Sequence, residues 1–494
     1  MNIKNRYLVV IVLIAVLFGG ALTYTALEVI GNNEEKVAQD ASSTKTAEEK
    51  SKEVQNAVVE PDANSDQFSK FMNAYAIIKD NYIEQVEDEE LVEGAIQGML
   101  EVLDDPHTVY MDLETVEQFN DSIESSFEGI GAEVNMEDGV VTIVAPIKGS
   151  PAEDAGLMPK DQILQVDGES LEGYDLYEAV SKIRGEKGST VTLQIRRPGV
   201  DQLLEVDVVR DEIPIETVYK SVREVDGKKT GVIEITSFST DTARDFNKAL
   251  EELEAEGIDG LVIDVRGNPG GLFESVEVIL ENFIPKDQPY VLFEHRNGEK
   301  QRFYSGTNDK KDYPISVLMN NGSASASEIL AAAMKEAGYD IVGEQSYGKG
   351  TVQKTLQLGD GSNIKITVYK WLTPSGEWIN EKGVAPTIEA KQPEFFYTTP
   401  FQVEEPYTFD MSNDAIANIQ KMLKGIGYDP GREDGYFSKE MEEVVKKFQT
   451  DHGLTASGQI DKDTGAKIQE VVMDAVRDEE NDKQMNTALK ELYQ

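Results

Sequence analysis

Residues 314–330 read PISVLMNNGSASASEIL. The apolar run Ile315 to Met319 predicts a buried strand, and the stretch that opens at Ser325 and runs on through Glu328-Ile329-Leu330 predicts a helix over 325–337. A strand that runs into a helix places its connecting residues at the carboxyl end of a sheet, where open α/β sheets put their ligands. Ser323, Ser325 and Ser327 alternate with alanines there, and no histidine lies nearby. Ser325-Ala326-Ser327-Glu328 has the form of a capping box, in which Ser325 merely satisfies a backbone N–H. The other reading makes a serine the nucleophile. The Ala326 N–H then lies at the positive end of the helix dipole, where an oxyanion is stabilised.

Working outward, strands and helices alternate from Gly231: GVIEITSF, a helix over 242–256, GLVIDVRG, a helix over 272–282, PYVLFEH, the strand and helix above, then DIVGEQ. This pattern predicts an α/β sheet with helices on both faces. SNIKITVYKWLT at 362–373 adds a strand that Pro374 and Gly376 end. In GKGTVQ, residues 348–353, glycines flank Lys349 and free its side chain to point into a site. A lysine made neutral by burial can take a serine's proton. Gln353 is within reach of Lys349 if 349–353 form a helical turn, so a turn of helix is expected here, the amide orienting the amine without adding charge. LVIDVRGNPGGLF at 261–273 also joins a strand to a helix. Its Gly270 or Gly271 is the second oxyanion donor, or the segment is a plain tight turn.

At 494 residues the chain exceeds one ordinary core, and three or four folded units are expected. It has no cysteine, which excludes disulfides, thiolate chemistry and cysteine-based zinc sites. With 92 acidic against 47 basic residues the formal net charge is -45, which repels nucleic acid and anionic lipid surfaces. Lys4 and Arg6 precede an apolar run from Tyr7 to Leu27, read as a membrane span, with the remainder outside; an uncleaved anchor is preferred to a removed signal. Residues 1–31 are thus a stub and anchor, and 32–65 a polar, acidic tether. Apolar residues at helical spacing make 66–125 a helical region, whose part 66–104 is either a dimerisation arm or packs on its own chain. Short strands with one helix, LYEAVSKI, fill 126–211 and fit a small, partly open barrel.

Together GSASASEIL, GKGTVQ, DVRGNPGGL and GVIEITSF resemble the C-terminal processing, or tail-specific, serine peptidases, and the likeness runs from Phe68 to Ile388. The resemblance implies a serine endopeptidase with an inserted PDZ domain and no cofactor or metal. It assigns Ser325 as nucleophile, Lys349 as general base and Gln353 as its partner, with a core over 212–395 completed by 66–125. The insert's Gly129-Ile130-Gly131-Ala132 matches a carboxylate-binding turn, with Leu176, Ala179 and Val180 lining the groove for an apolar last residue. Arg184 is a candidate link between peptide binding and the protease body, or an ordinary surface arginine. A linker is expected over 396–411, an acidic tail over 477–494, and between them 412–476 resembles a peptidoglycan-binding three-helix module. Its Ile419, Leu423, Val444, Phe448 and Ile468 are expected as core, and His452 as structural. The fold expected is therefore multidomain α/β and α+β: a transmembrane helix, a helical arm, a PDZ-like barrel, an α/β protease core and a three-helix module. The function expected is a membrane-anchored, extracytoplasmic endopeptidase of the cell envelope that takes protein or peptide substrates with free C-termini and binds cell-wall polymer, not nucleic acid. A silent PDZ scaffold at the cell wall is the alternative. A carbohydrate-processing enzyme lacks a recognisable carboxylate pair at a glycine-bounded turn.

Overall fold

The computed structural model describes residues 66–494 apart from 138, 201 and 307–309. The expected span over Tyr7 to Leu27 and the tether over 32–65 lie outside the described residues. Among the described residues no helix is long and apolar enough to cross a membrane. They divide into two compact units, 66–116 with 353–367, and 117–352 with 368–494.

In the smaller unit α1 (Asp66–Asn81) and α2 (Asp88–Glu101) are the expected helices. Neither buries a residue, and Phe71, Met72, Ile77 and Ile78 of α1 are exposed. Asp105 then turns the chain by accepting the His107 N–H at 3.0 Å and the Thr108 hydroxyl at 2.7 Å. β1 (Val109–Met111) follows and pairs with residues 363–365, Val109 opposite Lys365.

After α3 (Leu113–Ile123), β2 (Ser126–Gly129) opens the inserted domain. Its elements are β3 (Ala132–Glu137), β4 (Val140–Pro146), α4 (Pro151–Asp154), β5 (Gln162–Val166), β6 (Glu169–Ser170), α5 (Leu176–Ile183), β7 (Thr190–Arg196) and β8 (Leu204–Val209). β9 (Asp211–Pro214) returns antiparallel to β2. The sheet runs β3-β4-β5-β7-β8 with β3 at its edge. Alternation along β7 sends Val191, Leu193 and Ile195 into a core shared with Ile143 and Ile163. Asp161 is fully buried in this domain and accepts both arms of Arg197, at 2.8 and 2.7 Å.

The protease core adds β10 (Val218–Val225), β11 (Lys228–Ile235), α6 (Thr242–Ala255), β12 (Gly260–Asp264), α7 (Phe273–Leu280), the hairpin β13 (Pro289–Glu294) and β14 (Lys300–Tyr304), β15 (Ile315–Met319), α8 (Ala326–Glu336) and β16 (Asp340–Gly343). β17 (Thr351–Gln357), β18 (Asn363–Leu372) and β19 (Ile388–Glu389) complete it. The central sheet has the order β10-β11-β12-β15-β16-β19, parallel from β11 onward. β12 and β15 are buried at every position, as strands covered on both faces must be.

Three helices follow: α9 (Asp414–Gly425), α10 (Lys439–Asp451) and α11 (Lys462–Arg477), each begun by a capping side chain, from Asn413, Ser438 and Asp461. Ile419, Leu423, Phe448 and Ile468 are fully buried between them, and Val444 packs against that core. His452 lies 4.4 Å from the Phe448 ring, a packing role. The segment expected as a linker contributes Val403 to the same core, with Phe396, Phe401 and Tyr407 against it.

The acidic tail expected over 477–494 is a folded element. It forms a turn of 3-10 helix and α12 (Lys483–Glu491), which sets Ala488, Leu489 and Leu492 against Val232, Val262, Leu318 and Val342. These positions alternate with Ile233, Ile263, Val317 and Ile341, so α12 covers one face of the sheet. Its acidic exterior masked a stripe of apolar residues at helical spacing.

Arg197→Ala leaves Asp161 buried with its ion pair removed. The expected cost to the inserted domain is about 3 kcal/mol, seen as a lower first unfolding transition in calorimetry.

Candidate active site

Ser325 joins β15 to α8 with φ 54° and ψ −113°. A residue with a β-carbon holds such a backbone only where its surroundings impose it. The three serines separate by what their hydroxyls do. Ser323 and Ser327 are fully buried, and their hydroxyls donate to the carbonyls of Val265 at 2.8 Å and Asn268 at 2.9 Å. Ser325 keeps 7% exposure. Ser325 and Glu328 form the expected capping box, and the Glu328 N–H also goes to the Ser325 backbone carbonyl at 2.9 Å.

The Glu328 carboxylate gathers the site. One oxygen accepts the N–H groups of Ser325 at 2.9 Å and Lys349 at 2.8 Å; the other accepts the Gly348 N–H at 2.7 Å and the Ser346 hydroxyl at 2.5 Å. Burial pushes this carboxyl's pKa up, and the four donors pull against that rise. The carboxylate thereby bonds the backbone of the serine to the backbone of the lysine. Lys349 is 2% exposed. Its carbonyl accepts the Trp371 indole N–H at 2.6 Å, and the next carbonyl, of Gly350, accepts that of Trp378 at 2.8 Å.

Gln353 departs from expectation in its local structure. Residues 351–357 form β17, so 349–353 are not a turn of helix. Thr351 and Val352 are β-branched and favour extended backbone, which outweighs the short-range contact that the helical reading assumed. Gln353 is buried and its amide donates to the Thr367 hydroxyl at 2.9 Å. In the same unit Lys365 is a second buried lysine, and desolvation lowers its pKa to about 8.

The glycine turn lies against the serine. A β-carbon on Gly270 would come within 2.8 Å of both the Ala324 carbonyl oxygen and the Ser325 β-carbon, and one on Gly271 within 2.0 Å of the Phe238 oxygen. Both have positive φ, so glycine is required twice over. The Gly270 N–H is given to the Asn268 side-chain oxygen at 2.8 Å. Asn268, fully buried, also donates its amide to the Ile235 carbonyl and accepts the Ala324 N–H on its own carbonyl.

A family model described as Peptidase family S41 matches residues 229–390. Along nearly its whole length the chain is similar to the carboxy-terminal processing protease CtpB of Bacillus subtilis (strain 168), with 49% identity over 99% of each. The chain belongs to peptidase family S41. It is a serine protease of the carboxy-terminal processing group. It is also 41% identical to the carboxy-terminal processing protease CtpA of the same organism, over 86% of this chain and 90% of that one. A solved photosystem II D1 C-terminal processing protease aligns at TM-score 0.42 and 29% identity, covering 69% of this chain and 91% of that one. Further models match a PDZ domain at 129–208, a putative peptidoglycan-binding domain at 412–468 and the N-terminal domain of the activating protease CtpB at 16–115.

In the PDZ domain of this S41 protease the expected peptide-binding residues divide. Gly129 ends β2 and Ala132 begins the edge strand β3, whose outer side is open to a further strand. Leu176 and Val180, one helical turn apart on α5, stay partly exposed. Ala179 is fully buried and Ile130 nearly so, which places their side chains in the core rather than along the groove. Gly131 has φ +73° and its carbonyl accepts the Ser150 hydroxyl at 2.7 Å. Arg184 is not an idle surface residue: it pairs with Asp121 of α3 and lies over the Phe127 ring.

Sequence reading missed Asn268, the two tryptophans and the reach of Glu328. The last was partly visible, because a glutamate three residues after the serine is the capping-box signature. Glu328→Gln replaces one acceptor oxygen by an NH2 group that faces donors. The expected result is a loss of roughly 2–4 kcal/mol in unfolding free energy and of most peptide hydrolysis, measured by denaturation and by turnover at a temperature where the variant is folded.

Proposed function

We propose that this protein is a membrane-anchored endopeptidase of the cell envelope that captures substrates by their free C-termini and cleaves them with Ser325 and Lys349. The observation that carries the reading is the Glu328 carboxylate, bonded at once to the backbone of the strained serine and of the buried lysine. Ser325 Oγ attacks the scissile carbonyl while the neutral Lys349 amine takes its proton. The resulting ammonium returns that proton to the leaving amine, and a water then hydrolyses the acyl-enzyme by the same path. Gln353 is assigned as the uncharged partner of the amine on the family resemblance. The oxyanion donors are the N–H groups of Ala326 and Gly271, since that of Gly270 is already given to Asn268.

The PDZ domain takes the substrate's carboxylate at Gly129 to Ala132 and its strand along β3, with Leu176 and Val180 meeting an apolar last residue. Arg184 and Asp121 connect that groove to α3. The module over 412–476 holds the enzyme to cell-wall polymer, and the exposed apolar face of α1 is the dimerisation arm. The N-terminal apolar run anchors the chain, with the catalytic part outside the cytoplasm.

Ser325→Ala and Lys349→Met are each expected to fold and to lose peptide hydrolysis, whereas Lys365→Met retains it. Turnover of an unfolded protein substrate decides: activity that survives Lys349→Met but not Lys365→Met moves the base to the other buried lysine. Amidating the C-terminus of a good substrate is expected to weaken its binding to the full chain, measured by calorimetry on the Ser325→Ala variant. Equal affinity for the acid and amide forms removes carboxylate capture.

A further inference from the structure

The turn that carries Gly270 and Gly271 is held from behind by a residue of the last helix. Arg266 begins this turn and is largely buried. Its guanidinium donates from Nε to Asp264 at 2.9 Å and from Nη2 at 2.6 Å, while Nη1 and Nη2 reach the two oxygens of Asp482, each at 2.9 Å. Nη1 also lies 3.3 Å from the Gln484 side-chain oxygen. Burial works against a charged guanidinium, and the two carboxylates keep it charged. Burial likewise raises the Asp482 carboxyl, and Arg266 overrides this and holds it below the ordinary range.

Asp482 is anchored in its turn. It caps α12 by accepting the Met485 N–H at 2.9 Å and takes the Gln392 amide at 2.7 Å. α12 is seated on the sheet by Ala488, Leu489 and Leu492, and Gln484 donates to the Ala390 carbonyl at 3.0 Å. On the other side of Arg266 the neighbouring residues are bonded to the serine's own segment. Val265 accepts the Ser323 hydroxyl, the Gly267 N–H goes to the Asn320 side chain at 2.8 Å, and Asn268 accepts from Ala324 and Ser327. Arg266 is therefore the point where a rigid helix meets the backbone that must aim an oxyanion donor.

We propose that Asp482 is a positioning residue of the peptidase, acting through Arg266 to fix the aim of the 265–271 turn. The final helix is then part of the catalytic apparatus. This rests on the assignment of Ala326 and Gly271 as oxyanion donors.

Asp482→Asn keeps the size and the helix cap, because asparagine caps as well as aspartate, but removes the charge that grips the fork. Three quantities test it in the full chain: kcat and KM on a peptide with a free C-terminus, the labelling rate by a fluorophosphonate, and Tm. The expected result is a fall in kcat of roughly tenfold or more with KM little changed, and a matching slowing of labelling. Arg266→Lys, which keeps a charge but loses the fork, behaves the same way. Leu250→Ala, which loosens the buried face of α6 and touches neither α12 nor the ion pair, lowers Tm and leaves kcat near that of the parent. Unchanged kcat in both Asp482→Asn and Arg266→Lys overturns the proposal, as does a loss in Leu250→Ala equal to theirs. A parent that is labelled while those variants react at its rate refutes the brace alone; turnover that survives in Ser325→Ala refutes the underlying assignment.

Discussion

A buried carboxylate is costly, and Glu328 is tolerable in the interior because four donors converge on it. Those donors come from two segments, which the Tyr347 N–H also joins by donating to the Ser323 carbonyl at 3.0 Å. One donor is on the residue immediately before α8, held in a backbone region that serine avoids; the others come from the loop between β16 and β17. Satisfying the charge therefore fixes two backbones relative to each other and supplies the energy that keeps Ser325 at its unfavourable angles. The indoles of Trp371 and Trp378 complete the restraint by taking the next two carbonyls of the same loop. They are the only two tryptophans in the chain, so both are spent on the segment carrying the lysine.

How much of this was legible follows from how local each signal is. The strand and helix around Ser325, the alternation of strands and helices from Gly231 and the three capped helices near the end rest on periodicity within a dozen residues, and they stand where they were expected. The turn of helix at 349–353 does not, because it was inferred from the contact a lysine and a glutamine would need. Backbone preference at Thr351 and Val352 decides the matter locally in favour of a strand. Ala179 lies deeper than expected for another reason: a short amphipathic helix shows which side is apolar, not how deep each residue sits. Asn268, the tryptophans and Asp482 contribute through partners from about 20 to over 200 residues away in the chain, a distance at which no pattern in the sequence speaks.

The last helix illustrates how composition misleads. Counting charges made 477–494 a solvated tail, yet four apolar positions at helical spacing are enough to seat α12 on the parallel sheet. Such a sheet needs cover on both faces, and α6, α7 and α8 supply it on one side only. Since α11 ends at Arg477, only a few residues separate the three-helix module from the ion pair behind the glycine turn. The module is thus fastened close to the candidate site, although its own core is separate.

The inserted domain is attached in a different manner. It leaves the core on β2 and returns on β9, and these strands pair along their full length, Ser126 opposite Pro214 and Gly129 opposite Asp211. Entry and exit are therefore neighbours, and the core does not depend on what lies between them for its own continuity. A different small domain with adjacent termini, or a tight hairpin, would meet the same two-strand socket without disturbing the sheet. Recombination has an easy target here: the PDZ domain can be exchanged as a cassette while the core around it is inherited unchanged.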